Sequence, residues 1–245
     1  MAVASPLGRR QTVAALLTLT FVTGLVDAVS YLRLGRVFVA NMTGNVVFLG
    51  FSVDPHSGLS AAASVIAIAG FALGAFAGGR AAHRMATQSP RRWLSTALAA
   101  EAIIIGAVAV LTGTGGLPFA GDGRFATIAV LAAALGIQNS TVRHLGAPDL
   151  TTTVLTLTLT GLAADNALAG GPGARPHRRL GSVAAMLAGA AAGAGILQAS
   201  PTAVIAIAAV LVAAVSATFL SATRHAAPPS PIPAPDREPS TVGTT

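Results

Sequence analysis

Two acidic side chains stand inside long apolar runs, Asp27 between Thr12 and Leu32 and Glu101 between Trp93 and Thr112. A carboxylate in the interior of a membrane helix costs roughly 2.5–3.5 kcal/mol on insertion scales, so each is expected to face a partner or a wet cavity. Asp27 could carry a proton or hold a cation. Equally, it could take a hydrogen bond from Asn41 or Asn45, or pair with Arg33 at the end of the same run. Uncharged hydrogen-bonding groups follow at comparable places in the two halves: Asn41, Thr43 and Asn45 in the first, Gln138 and Asn139 in the second. Arg143 falls four residues after Asn139, on the same face of a helix. Such a set could line a polar pocket for a small solute or cation, or it could simply staple helices together. Thr152, Thr156 and Thr160 recur every four residues and make one stripe. That stripe would either line a pore or bond the carbonyls of its own helix. Asp165, just beyond, would cap a helical piece or pair with the cluster from Arg175 to Arg179.

Enzyme signatures are missing where catalysis would need them. The sequence has no H-E-x-x-H, no G-x-S-x-G and no phosphate-binding glycine loop. His56, His83, His144, His177 and His225 form no i,i+4 pair, and the absence of Cys removes thiolate metal sites and cysteine nucleophiles. No catalytic residue, metal or cofactor is expected.

The elements that must position these side chains are set by composition. Hydrophobic residues make up 53% of 245 and charged residues only 9%, against about 25% in soluble domains. With no Lys and a mean hydropathy of +0.72, the chain belongs in a lipid bilayer. Its formal charge of +7 comes from arginines between the apolar runs, so it orients the protein and offers nothing to a nucleic acid.

Apolar stretches run from Thr12 to Leu32, Val37 to Phe51, Leu59 to Gly79, Trp93 to Thr112, Phe125 to Val142, Leu150 to Ala164, Leu180 to Leu197 and Ala203 to Leu220. Six match the roughly 20 residues a helix needs to cross hydrocarbon. Val37 to Phe51 and Leu150 to Ala164 are shorter and polar inside, which suits broken or re-entrant helices. If all eight cross, the arginines divide almost evenly between the two sides. If the two short segments enter and leave on one side, only Arg33, Arg36 and Arg124 lie outside. The six-span reading, with both termini cytoplasmic, follows from the enrichment of Arg in cytoplasmic loops. The eight-span arrangement is the alternative.

Residues 1–11 read as a short cytoplasmic tail, 12–222 as the transmembrane domain, and the Pro-rich 223–245 as a disordered cytoplasmic tail. The domain looks duplicated, with halves at about 12–113 and 124–222. Gly24 to Asp27, then Arg33 to Gly35, correspond to Gly136 to Asn139, then Arg143 to Gly146. Gly70, Gly74 and Gly78 correspond to Ala185, Gly189 and Gly193, two small-residue ladders that let helix backbones approach closely. Three spans per copy would turn the second copy upside down, an architecture recurrent in secondary transporters.

The run Gly24-Leu25-Val26-Asp27-Ala28, then Leu34-Gly35 and Phe38-Val39-Ala40-Asn41-Met42-Thr43-Gly44-Asn45, resembles the first signature of the YoaK-like bacterial membrane proteins. The second signature is similar at Gly136-Ile137-Gln138-Asn139, Arg143, Leu145-Gly146 and Thr151 to Thr156, although Leu157 replaces the usual Gly. The resemblance implies a multi-pass bacterial inner-membrane protein with about six helices, and no known activity. The expected architecture is an all-α polytopic bundle of two inverted halves. The expected function is small-solute permeation at Asp27, Asn41, Thr43 and Asn45 facing Gln138, Asn139 and the Thr stripe. The alternative is a membrane scaffold or accessory subunit whose small-residue faces bind partner helices or a second copy.

Overall fold

A computed structural model describes residues 5–85, 90–145, 155–164 and 176–222. Thr152, Asp165 and the tail beyond residue 222 lie outside the described residues. Those described form helices and no strand: α1 (Arg9–Arg33), α2 (Met42–Phe51), α3 (Ala61–Met85), α4 (Pro90–Gly113), α5 (Arg124–Leu145), α6 (Leu155–Ala164), α7 (Pro176–Leu197) and α8 (Pro201–Ser221). Six of them are long and apolar enough to cross a membrane. α2 and α6 have 10 residues each. At 1.5 Å per residue each is about 15 Å long, half the hydrocarbon thickness.

Local chemistry explains why α2 is short. After α1, Gly35 takes a φ of 103° and Arg36 a φ of 57°. Glycine enters this left-handed region at no steric cost, which turns the chain back on itself. Residues 37–41 are not helical, so the 15-residue segment anticipated from Val37 to Phe51 is a limb followed by a helix. Asn41 is the N-cap, its side-chain oxygen accepting from Gly44 N at 3.3 Å.

The relation of α4 to α8 excludes the eight-span alternative. Thr202, at the start of α8, lies against Thr112 and Gly113 at the end of α4. Gly106 lies against Ala209, and Ser216 Oγ donates to Ser95 O at 2.7 Å. The two helices are antiparallel. Were all eight helices to cross, α4 and α8 would run the same way; with α2 and α6 not crossing, they run oppositely.

The two halves are interleaved. α1 packs closely on α7, and α5 packs closely on α3, so the first helix of each half pairs with the third helix of the other. A Cβ on Gly24 would overlap the Met186 carbonyl, and one on Gly136 would overlap the Phe71 carbonyl. Gly189 meets Phe21 in the way that Gly74 meets Ala133, and Gly193 meets Leu25 as Gly78 meets Ile137. In each of these paired contacts, both members correspond between the two halves. The other contacts obey the same exchange: α1 touches α8 as α5 touches α4, and α2 touches α3 as α6 touches α7. An approximate two-fold axis passes between α1 and α5 and between α4 and α8. The glycine ladders create this exchange, because only backbone-to-backbone approach brings the paired helices so close. α1 and α5 are the most enclosed of the long helices, while α3 and α7 present most of their surface outward.

Candidate functional site

The enclosed helices carry the polar side chains singled out by the sequence, and the α2 limb explains the position of Asp27. Inside a bilayer a non-helical stretch must find partners for its N–H groups within the protein. Asp27 Oδ1 accepts from Val39 N and from Ala40 N, both at 3.0 Å. Asn45, reaching back from α2, accepts from Phe38 N at 2.9 Å and donates through Nδ2 to Phe38 O at 2.6 Å. Three successive N–H groups of the limb are thus satisfied by two buried side chains. Phe38 also stacks on Tyr31 and Phe48, with ring centroids 5.1 and 5.5 Å away.

This geometry differs from each bland alternative raised for Asp27. Neither Asn41 nor Asn45 bonds the carboxylate, and Arg33 is exposed. The ion pair among the described residues is between Asp54 and His56, exposed and at 3.3 Å. The partner is peptide backbone instead, a class of contact that residue types in a sequence do not reveal. Asp27 Oδ2 stays buried and unpartnered among the described residues.

Gln138 is fully buried on α5, and its Nε2 donates to Thr23 Oγ1 on α1 at 3.0 Å. Thr23 lies one turn before Asp27 on the same side of α1, so this bond joins the two halves beside the two-fold axis. Gln138 Oε1 is buried without a partner among the described residues. The sequence reading missed Thr23, although its place four residues before Asp27 was a usable signal.

The other candidates differ in exposure. Asn139 is half-buried and donates to Leu135 O of its own helix at 2.9 Å, and Arg143 is exposed. Asn41 is an exposed cap, and Thr43, Thr156 and Thr160 are exposed. Thr152 lies outside the described residues. Of the expected ring, the described residues enclose Asp27, Asn45 and Gln138, while Asn41, Thr43 and Thr156 are exposed. Thr43 and Thr156 lie on the short helices α2 and α6, which turn one face outward, and Arg143 is in the exposed last turn of α5. Glu101 is fully buried near the middle of α4, and neither carboxylate oxygen has a hydrogen-bond partner among the described residues. No group of three or more His, Cys, Asp or Glu suited to a metal occurs among the described residues.

These features define a multi-pass helical membrane protein of two interleaved halves, each with one short helix, whose first helices meet through buried polar side chains. The chain belongs to the family described as protein of unknown function DUF1275, whose model matches residues 15–218. It is 34% identical over 160 residues to the UPF0700 transmembrane protein YoaK of Bacillus subtilis (strain 168), covering 64% of this chain and 67% of that relative. No solved structure matches the chain.

Proposed function

We propose that the protein is a small-solute permease of the inner membrane, with both termini cytoplasmic and no enzymatic activity. The observation that carries this reading is the junction of α1 and α5. There the two-fold axis passes beside two buried acceptors, Asp27 Oδ2 and Gln138 Oε1, that are unengaged among the described residues. Inverted halves that can rock about a central polar site provide alternating access. The solute would be small and would donate hydrogen bonds or positive charge to those acceptors. The Arg-rich ends of α3, α4 and α5, with Arg80, Arg84, Arg91, Arg92 and Arg143, support their cytoplasmic placement.

The test is solid-supported membrane electrophysiology on proteoliposomes, with a panel of cations, amines and neutral polar metabolites at the same osmolarity. Solute-specific transient currents or uptake, weakened in Gln138→Leu, are expected. The absence of transport and of ligand-induced thermal stabilisation across the panel would overturn it in favour of a scaffold. One observation favours that second reading: Asp27 and Asn45 are already engaged in holding the α2 limb.

Topology is tested separately with single cysteines, since the chain has none of its own. Arg36→Cys and Ser57→Cys should label from one side, and Met85→Cys from the other. Labelling of Arg36→Cys and Ser57→Cys from opposite sides would mean that α2 crosses.

A further inference from the structure

We propose that Glu101 is a proton-binding site in the membrane interior, and that the permease uses it to couple solute movement to protons. The coupling role rests on the permease reading; the proton site does not. Glu101 is nearly equidistant from the two ends of α4, which span Pro90–Gly113. It is fully buried, and both its oxygens lack a hydrogen-bond partner among the described residues.

Its direction follows from helix geometry. Gly106 lies against Ala209 of α8, and the Ser95 carbonyl accepts from Ser216 of α8. At about 100° per residue, Glu101 lies about a third of a turn or more round from both. It shares its side with buried Leu94, Ile105 and Val108, and towards the end of the helix with Thr112, which meets Thr202 of α8.

Among the described residues no charge faces the carboxylate, and those of α4 itself, Arg91 and Arg92, are in its first turn. α4 packs against α8, α5 and α3. α8 carries no ionisable side chain, and those of α5 are Arg124, Arg143 and His144, all in its end turns. Those of α3 are Arg80, His83 and Arg84, in its last turns. Asp27, on α1, is committed to the α2 limb. An isolated ion so placed would neutralise by taking up a proton, the one ligand that needs no coordinating shell.

Nor does the fold require this group. α8 is the two-fold counterpart of α4 and fills the equivalent place without any acid. A costly side chain that one copy has and the other does without marks a function outside packing. Proton transfer is to one carboxylate oxygen, giving the neutral acid, and the reverse step returns the carboxylate when the site opens to water.

The test uses dicyclohexylcarbodiimide, which adds to protonated carboxyls in apolar surroundings, on the purified full chain in detergent across a pH series. Peptide mass mapping should place the adduct on Glu101. Its rate should fall about tenfold per pH unit on the alkaline side. Labelling should be at least tenfold lower in Glu101→Gln and unchanged in Asp27→Asn. Absence of an adduct at Glu101 in acid, a rate independent of pH, or protection by sodium or potassium chloride at fixed pH would overturn the proposal. Mapping the wild-type protein decides this even if a variant fails to fold. A solute screen without hits beside a pH-dependent adduct would defeat the permease reading alone. Where uptake is found, Glu101→Gln should remove its response to a pH gradient, and a retained response would defeat the coupling role.

Discussion

Asp27 and Glu101 are the two acids buried in the spans, and their surroundings are opposite. Asp27 faces a stretch of backbone that has left the helix and needs acceptors, and one of its oxygens takes two N–H groups. Glu101 faces helices whose backbone groups are satisfied internally, and neither of its oxygens finds a donor among the described residues. Asp27 holds the architecture in place, whereas Glu101 is a cost the architecture carries. Whether the adjacent backbone is broken decides whether a buried carboxylate finds donors.

The largest effect should come from removing the acceptor at Asp27. Asp27→Ala leaves the Val39 and Ala40 N–H groups without partners inside the bundle. At about 1–3 kcal/mol for each stranded group, the loss should be about 4 kcal/mol. Thermal or denaturant unfolding in detergent would measure it, with a cysteine at Phe38 reporting exposure of the limb. A variant as stable as the wild type would show that the limb does not need the carboxylate. Asn45→Ala should follow at about 2 kcal/mol, because it strands the N–H and C=O of Phe38, which is half-buried where Val39 and Ala40 are buried. Combined with Asp27→Ala it should cost less than the two single losses together, since both act on one limb.

How far these roles were legible in the sequence depends on what makes each contact. The six long helices, the short α2 and the burial of Asp27 follow from apolar run lengths and from the cost of a lone charge. The eight-span alternative could not be dismissed until Thr112 and Thr202 were seen at adjacent ends of antiparallel helices. The ladder at Gly70, Gly74 and Gly78 announced close packing, but not that its partner would be α5 from the other half. A glycine marks an absence of side chain and leaves its partner unspecified. The bonds of Asp27 were hidden for a related reason: every residue has a backbone N–H, so no residue type at 39 or 40 betrays the donor. Thr43 and Arg143 were singled out because their types are polar, and both are exposed. Their exposure depends on helix rotation, which spacing alone does not fix.

The smallest effects are expected from the two amide substitutions, and they separate the two acids most cleanly. Asp27→Asn keeps an oxygen where Oδ1 accepts, so both limb N–H groups remain bonded and only the charge-assisted part of their strength is lost. Its stability should fall by about 1 kcal/mol. The second half already carries this substitution, with Asn139 at the position corresponding to Asp27. A loss that is recovered by also neutralising Arg33 would instead reveal an ion pair that the geometry denies. Glu101→Gln removes a group with no partner to lose among the described residues, and a neutral amide needs no proton taken up before it is buried. Its stability should equal or exceed that of the wild type by up to about 1 kcal/mol, as measured by the same unfolding transitions. A fall of more than about 1 kcal/mol would mean that Glu101 has a partner in the folded protein, and the contrast between the two acids would then fail.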